Sequence, residues 1–227
     1  MKKKMPIIAA TLGIVVVLIA VTIGIISCAG RKNVDAAGYV QANLDLIFQG
    51  ETQEAKRFIS ASNSDLKQIY DNGIQAFVSS YLTGGIDTGE MFSDSYGNLV
   101  KQIFRTMRYR VGDAVKKEDG SYEVTVTFRP TNVFTVFIPQ LQAESEKITK
   151  KAEEGAYTGS EDEIESAMLL DYMKQAYSLL ESAYIDMEYG EEQEFKFTVS
   201  VGKKNSSSMD ETEINTFIER ILELDKL

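Results

Sequence analysis

Residues 109–130 read YRVGDAVKKEDGSYEVTVTFRP, and the fold class follows from how that stretch is divided. Tyr122, Val124, Val126 and Phe128 alternate with Glu123, Thr125, Thr127 and Arg129, a period of two that puts the apolar side chains on one face of a strand. Glu118-Asp119-Gly120 is a turn signal, and Tyr109–Lys117 before it is β-rich, so the stretch predicts an antiparallel hairpin with one buried face. Pro130 closes it.

Upstream of the hairpin the period is near 3.6 instead. Ala37, Val40, Leu44, Ile47 and Phe48 predict a first helix, which Gly50 ends. A short helical stretch, Thr52–Ile59, precedes Ser62 and Ser64, both good N-cap types. Leu66, Ile69, Tyr70, Ile74, Phe77, Val78, Tyr81 and Leu82 then mark a long helix stopped by Gly84-Gly85. After a loop over Ile86–Glu90, Leu99, Val100, Ile103, Phe104 and Met107 predict another helix over Ser93–Thr106.

Downstream, Val133–Leu141 suits either an edge strand or a helix start because Pro139 lies inside a β-branched and aromatic run, and the balance favours helix. Glu144–Glu154 continues it as a charged helix, and Gly155–Gly159 is a loop. Ser160 and Glu163 form a capping box for a long helix with the stripe Ile164, Ala167, Leu170, Met173, Tyr177, Leu180 and Tyr184. Phe195, Phe197, Val199 and Val201 alternate with Lys196, Thr198 and Ser200 as a further strand. Gly202–Ser208 reads as a mobile turn, and Ser208 with Glu211 as a capping box for a last helix carrying Ile214, Phe217, Ile218, Ile221 and Leu222 inward. The expectation is an α+β fold, a small antiparallel sheet of about three strands packed on one side by several helices.

The N-terminus sets location. Lys2, Lys3 and Lys4 are followed by an uncharged apolar run over 6–26, long enough to span a hydrocarbon core about 30 Å thick, with the lysines staying on the cytoplasmic side. Everything after Cys28 is then expected outside the cytoplasmic membrane. The run ends Ile25-Ile26-Ser27-Cys28-Ala29-Gly30, which resembles the lipobox of bacterial lipoproteins. In that class the cysteine sulfur receives a diacylglyceryl group, and signal peptidase cuts between Ser27 and Cys28. An uncleaved signal anchor is the competing reading, since the run exceeds the usual length of a signal core, and both give the same topology. Residues 1–27 are thus signal peptide or anchor, 28–35 a tether, and 36–227 a single extracytoplasmic domain.

Three stretches resemble an uncharacterised family of Gram-positive lipoproteins: AAGYVQANLDLIFQGE (36–51), MRYRVGDAVKKEDGSYEVTVTFRPTNVF (107–134) and YIDMEYGEEQEFKFTVSV (184–201). The resemblance implies a cystatin-like or NTF2-like α+β arrangement and an envelope location, and no activity.

Composition narrows the chemistry. The chain has 227 residues with 24 Lys and Arg against 34 Asp and Glu. Without the three leading lysines, 21 basic residues remain against 34 acidic ones, a net charge near −13. Such a domain repels nucleic acid. There is no histidine and one cysteine, so Ser-His-Asp and Cys-His catalysis, His-ligated zinc and a disulfide framework are absent by inventory. No catalytic motif, metal loop or cofactor motif is found, and the expected partners are membrane lipid, through acylated Cys28 or an uncleaved helix, and an envelope ligand or protein.

Four candidate features remain, each with a structural alternative. Arg105, Arg108 and Arg110, with Lys101 one turn earlier, are the dense basic group: an anion site, or cations paired with nearby glutamates. Asp171 interrupts the apolar run Met168–Met173: a perturbed acid for a glycan hydrolase, which needs a second carboxylate across a cleft, or an outward carboxylate beside Lys174. Tyr172, Tyr177 and Tyr184 are a sugar-stacking platform or ordinary core. The acidic groups Glu161, Asp162, Glu163, Glu165 and Glu188, Glu191, Glu192, Glu194 lack the ligand spacing of a calcium loop, and the first complements a helix dipole.

Overall fold

In a computed structural model, residues 34–83, 89–202 and 206–227 are described. The apolar run, the lipobox with Cys28, the start of the tether, the Gly84-Gly85 stop and residues 203–205 of the expected turn lie outside them. Among the described residues there are seven α-helices and one four-stranded antiparallel sheet in the order β1-β2-β3-β4. The α+β expectation holds.

The hairpin forms as expected, β1 over Arg108–Lys116 and β2 over Tyr122–Arg129. At the turn Gly120 takes a positive φ of 87°, and the Asp119 carboxylate accepts from the Ser121 N–H at 2.9 Å. Between Val111↔Val126 and Ala114↔Val124 the register slips, so Gly112 and Asp113 oppose Thr125 alone. This is a β-bulge, and a Cβ at Gly112 would stand 3.1 Å from the Thr125 carbonyl oxygen.

β3, Gln193–Val201, pairs with β2, and its Phe197 and Val199 are buried. The reading of Gly202–Ser208 as a turn is corrected in its second half. Ser207–Met209 form β4, an edge strand hydrogen-bonded to Val199–Val201. The cap also moves: Asp210, not Ser208, opens α7 (Glu211–Ile221), its side chain accepting from the Thr212 N–H at 2.7 Å. Once the Ser208 backbone is in a ladder it cannot cap a helix.

Helix α1, Ala36–Gln49, is buried on more than one stripe because it lies against the sheet on one side and against α3 and α4 on the other. α2 (Thr52–Phe58) and α3 (Asn63–Tyr81) follow, α3 opened by a Ser62/Asp65 capping box. α4 spans Gly89–Arg105, so residues 89–90 of the expected loop are helical. Val133–Leu141 is helix, the start of α5 (Val133–Glu153). Pro139 lies inside this helix at an exposed position, where its ring faces solvent and its missing N–H leaves the Thr135 carbonyl without a partner from the helix ladder. The Ser160/Glu163 box opens α6, Glu161–Ile185, as expected. Its stripe is corrected: Met168, Tyr172, Met173, Ala176, Leu180 and Ala183 are buried, whereas Ala167 and Leu170 are exposed. A single turn of 3-10 helix, Leu224–Lys226, follows α7.

One run of rings joins the layers. Phe217 of α7 touches Phe128, Phe195 and Phe197 of the sheet and Phe48 of α1; Phe48 touches Phe104 of α4, and Phe104 and Phe134 both touch Phe77 of α3. The centroid spacings of 5.1–6.2 Å and steep interplanar angles are those of edge-to-face packing.

Gly50 ends α1 with φ 70°, and a Cβ there would lie 2.8 Å from the Tyr70 ring. Gly50→Ala combines left-handed strain with that clash. It is expected to lose about 1–3 kcal/mol of stability, read as a lower urea midpoint, and a variant as stable as the parent would contradict this account of the turn.

Candidate functional site

The turn at Gly50 shapes an open recess. The end of α1, the start of α2 and one face each of α3 and α4 enclose a cleft of about 310 Å³, lined by Gly50, Thr52, Asn63, Lys67, Tyr70, Asp71, Lys101 and Arg105. Helical spacing supplies the lining, since Asn63, Lys67 and Asp71 recur every four residues on α3, as do Lys101 and Arg105 on α4. Helices alone wall this cleft.

Asp71 sits between two lysines, with Lys67 Nζ at 2.5 Å and Lys101 Nζ at 2.7 Å. Burial pushes its carboxyl up, but the hydrogen bonds and charges of Lys101 and Lys67 together outweigh it and hold the group below the usual carboxylate range. Lys101 Nζ also lies 5.6 Å from the centroid of the Tyr70 ring. Tyr70 is 8% exposed, and its buried hydroxyl has no hydrogen-bond partner among the described residues. Desolvation raises its pKa, opposed by the positive charge of Arg105. On its other side the same ring lines a small apolar cavity of about 20 Å³ with Leu46, Ile47, Ile69, Ile74 and Phe104. Three cations against one anion leave the cleft positive in an acidic chain.

The sequence-predicted basic group is split by the fold. Lys101 and Arg105 face the cleft, while Arg108 and Arg110 stand on the open face of β1, two residues apart and both exposed. Arg108 stacks on Tyr189 with its guanidinium carbon 3.7 Å from the ring centroid. On β2, Arg129 faces Arg108 across the ladder, and its Nε donates to the Gly190 carbonyl at 3.1 Å. The pairing of these arginines with glutamates is not what forms: among the described residues Arg105, Arg108 and Arg110 have no carboxylate within 4 Å, and the cation paired with a carboxylate is Lys101. Elsewhere on the open face Glu123 joins Lys117 and Lys196 at 2.9 Å each.

Asp171 lies on the α5–α6 hairpin, away from the cleft. Its partners are the Tyr157 hydroxyl at 2.7 Å and Lys151 Nζ at 3.2 Å rather than Lys174. The Tyr157 hydrogen bond, helped by Lys151 against desolvation, holds its carboxyl low, and Tyr157 in turn is pushed up to about 12 by burial and the Asp171 charge. A carboxyl held low is ionised at neutral pH and is no proton donor, the reverse of what a general acid needs.

The tyrosines form no platform. Tyr172 is buried, and Tyr177 packs edge-to-face at 5.6 Å on Tyr96, whose O–H donates to the Met173 carbonyl at 2.7 Å. Tyr184 is half-buried against the core. Of the acidic groups, the Glu163 carboxylate accepts from the Ser160 N–H at 2.7 Å as part of its cap.

Sequence reasoning reached Lys101 and Arg105 but missed Lys67, Tyr70 and Asp71, because Tyr70 belongs to the apolar stripe of α3 and the other two look like a solvated i,i+4 pair. Their convergence with α4 is a tertiary fact.

No protein-family model matches this chain, and no curated protein matches it. The backbone is similar to the crystal structure of "a putative lipoprotein (ycdA)" from Bacillus subtilis, with a TM-score of 0.49 and 13% identity over 83% of this chain. The chain spans 56% of that protein's length.

Proposed function

We propose that this chain is a lipid-anchored, non-enzymatic binding module that works on the outer face of a bacterial cytoplasmic membrane. Lys2–Lys4, the apolar run over 6–26 and Cys28 at the end of a lipobox-like sequence support it. The observation that carries it is how near to the cysteine the described domain stands. Asp35 accepts from the Gly38 N–H at 2.9 Å and caps α1, the first helix among the described residues, and it lies seven residues after the lone cysteine. Seven residues reach at most about 25 Å, which keeps the cleft-bearing domain beside the bilayer. Two or three acyl chains on one cysteine give stable anchorage, where a single chain holds marginally. Among the described residues no helix is long and apolar enough to cross a membrane.

Labelling cells with a clickable fatty acid tests this. Wild type is expected to take up label and to be cleaved by protease added to intact protoplasts, whereas Cys28→Ala loses both label and membrane retention. An unlabelled variant still in the membrane would replace acylation by an uncleaved anchor, and a protease-shielded domain would overturn the outward topology.

A further inference from the structure

Within the cleft, the two lysines and Arg105 differ in what they already hold. Lys67 and Lys101 both donate to Asp71, while Arg105 has no carboxylate within 4 Å among the described residues. That guanidinium lines the same recess as both lysines and the Tyr70 ring.

We propose that this cleft binds a small ligand through one oxyanion group, a phosphate or carboxylate, which the Arg105 guanidinium takes with Lys67 and Lys101 as flanking charges. The proposal rests on the reading of the chain as a binding module and names its site. Guanidinium suits the task because its planar donors match two oxygens of a phosphate or carboxylate at once. Asp71 keeps the two lysines oriented and lowers the net charge to that of a site for a mono- or dianion. A volume of about 310 Å³ is at the small end of ligand pockets, which run from about 300 to 1,000 Å³, so the site takes a headgroup-sized molecule and not a length of polymer. Thr52 and Asn63 on the facing wall provide neutral donors and acceptors for the rest of it. A domain tethered beside a bilayer meets two sources of that chemistry, a dissolved phosphorylated solute and an anionic lipid headgroup.

The test uses the full chain in neutral detergent micelles, titrated calorimetrically with inorganic phosphate, glycerol phosphate and short-chain phosphatidylglycerol. Saturable binding of at least one probe is expected. Arg105→Ala is expected to weaken it about tenfold, the usual scale for losing a charge-assisted pair, while Arg110→Ala on the open sheet face leaves it unchanged. Arg105 is exposed at a helix end, so its alanine variant should keep the parent's circular dichroism and melting point. Binding of the lipid probe alone assigns the site to a headgroup, and binding of the solutes alone to a free anion; either supports the oxyanion chemistry. No saturable binding of any probe, or equal weakening by Arg105→Ala and Arg110→Ala, overturns the proposal. Such a failure leaves the membrane reading intact, because fatty-acid labelling and protease access report on Cys28 and not on the cleft.

Discussion

Phe217→Ala is expected to lower the stability of the folded domain by about 3–5 kcal/mol, the range for deleting a fully buried phenyl ring from a core that cannot close over the gap. Phe217 has no exposed surface, and four rings surround it: Phe128 at 5.1 Å, Phe197 at 5.3 Å, Phe195 at 5.5 Å and Phe48 at 6.2 Å. Three of these belong to strands β2 and β3, and the fourth to α1, which the sheet and the outer helices hold between them. The ring therefore fills the joint between layers, where neighbours fixed in a ladder or a long helix cannot move in to repack. Small domains have about 5–15 kcal/mol in total, so the loss is about a fifth or more of what is there. Phe195 is the internal control, because it touches Phe217 and Phe197 but is only half-buried, and Phe195→Ala should cost clearly less. Urea denaturation of both variants decides it. A Phe217→Ala loss below about 1 kcal/mol, less than the transfer of the ring alone, would mean that the sheet and helices are not joined through this residue.

The elements that sequence reading placed well are those whose burial has one direction. The hairpin packs one face on helices, so its period of two survives in Val124, Val126 and Phe128; α7 packs one face on the sheet, so Ile214, Phe217, Ile218 and Ile221 all point inward as their spacing predicts. Where an element has two partners the signal blurs. α6 lies against α5 along its length and against α4 near Tyr96, and with Met168, Leu169 and Leu170 consecutive, spacing alone permits several stripes; the one the fold uses runs through Met168, Tyr172 and Met173, leaving Leu170 out. β4 carried no signal at all. Ser207–Met209 join the sheet through backbone hydrogen bonds at an edge, which asks little of the side chains. The cleft was half legible for a related reason: helix spacing placed Lys101 and Arg105 together, but what makes them a site is Asp71 from 30 residues away, with Lys67 beside it, and no sequence pattern joins α3 to α4 there.

The buried tyrosines also set an upper limit on the pH at which the domain is stable. Burial raises the pKa of Tyr96 and Tyr109 well above the ordinary value of 10, and for Tyr109 the neighbouring carboxylate adds to it. The Tyr109 O–H donates to Asp45 Oδ1 at 2.6 Å, an oxygen that also accepts from Gln41 Nε2 at 2.7 Å, so ionising the phenol would set two anions face to face. Tyr96 donates to the Met173 carbonyl, and its phenolate would meet that oxygen's lone pairs in the same way. Both groups have folded-state values above their unfolded ones. Their contribution is thus fully present below about pH 10 and is lost as pH rises past it, because only the unfolded chain can release the protons. One unit above the unfolded value the loss is about 1.4 kcal/mol for each tyrosine held this far up, about 3 kcal/mol for this pair, and Tyr70, Tyr81, Tyr157 and Tyr172, which burial also raises, add to it. Unfolding free energies from urea titrations at about pH 8 and about pH 11 should therefore differ by at least that amount. Tyr109→Phe removes one of these titrations and should shrink the difference by about 1.4 kcal/mol, even though it lowers stability at pH 8 by leaving Asp45 one donor short. Tyrosinate absorbance gives an independent check, since at least two of the 11 tyrosines should ionise only as the far-ultraviolet signal collapses. If all of them titrate near pH 10 while the helices persist, the phenols of Tyr96 and Tyr109 are reached by water, and the packing of α4 on α6 and of β1 on α1 is looser than these contacts require.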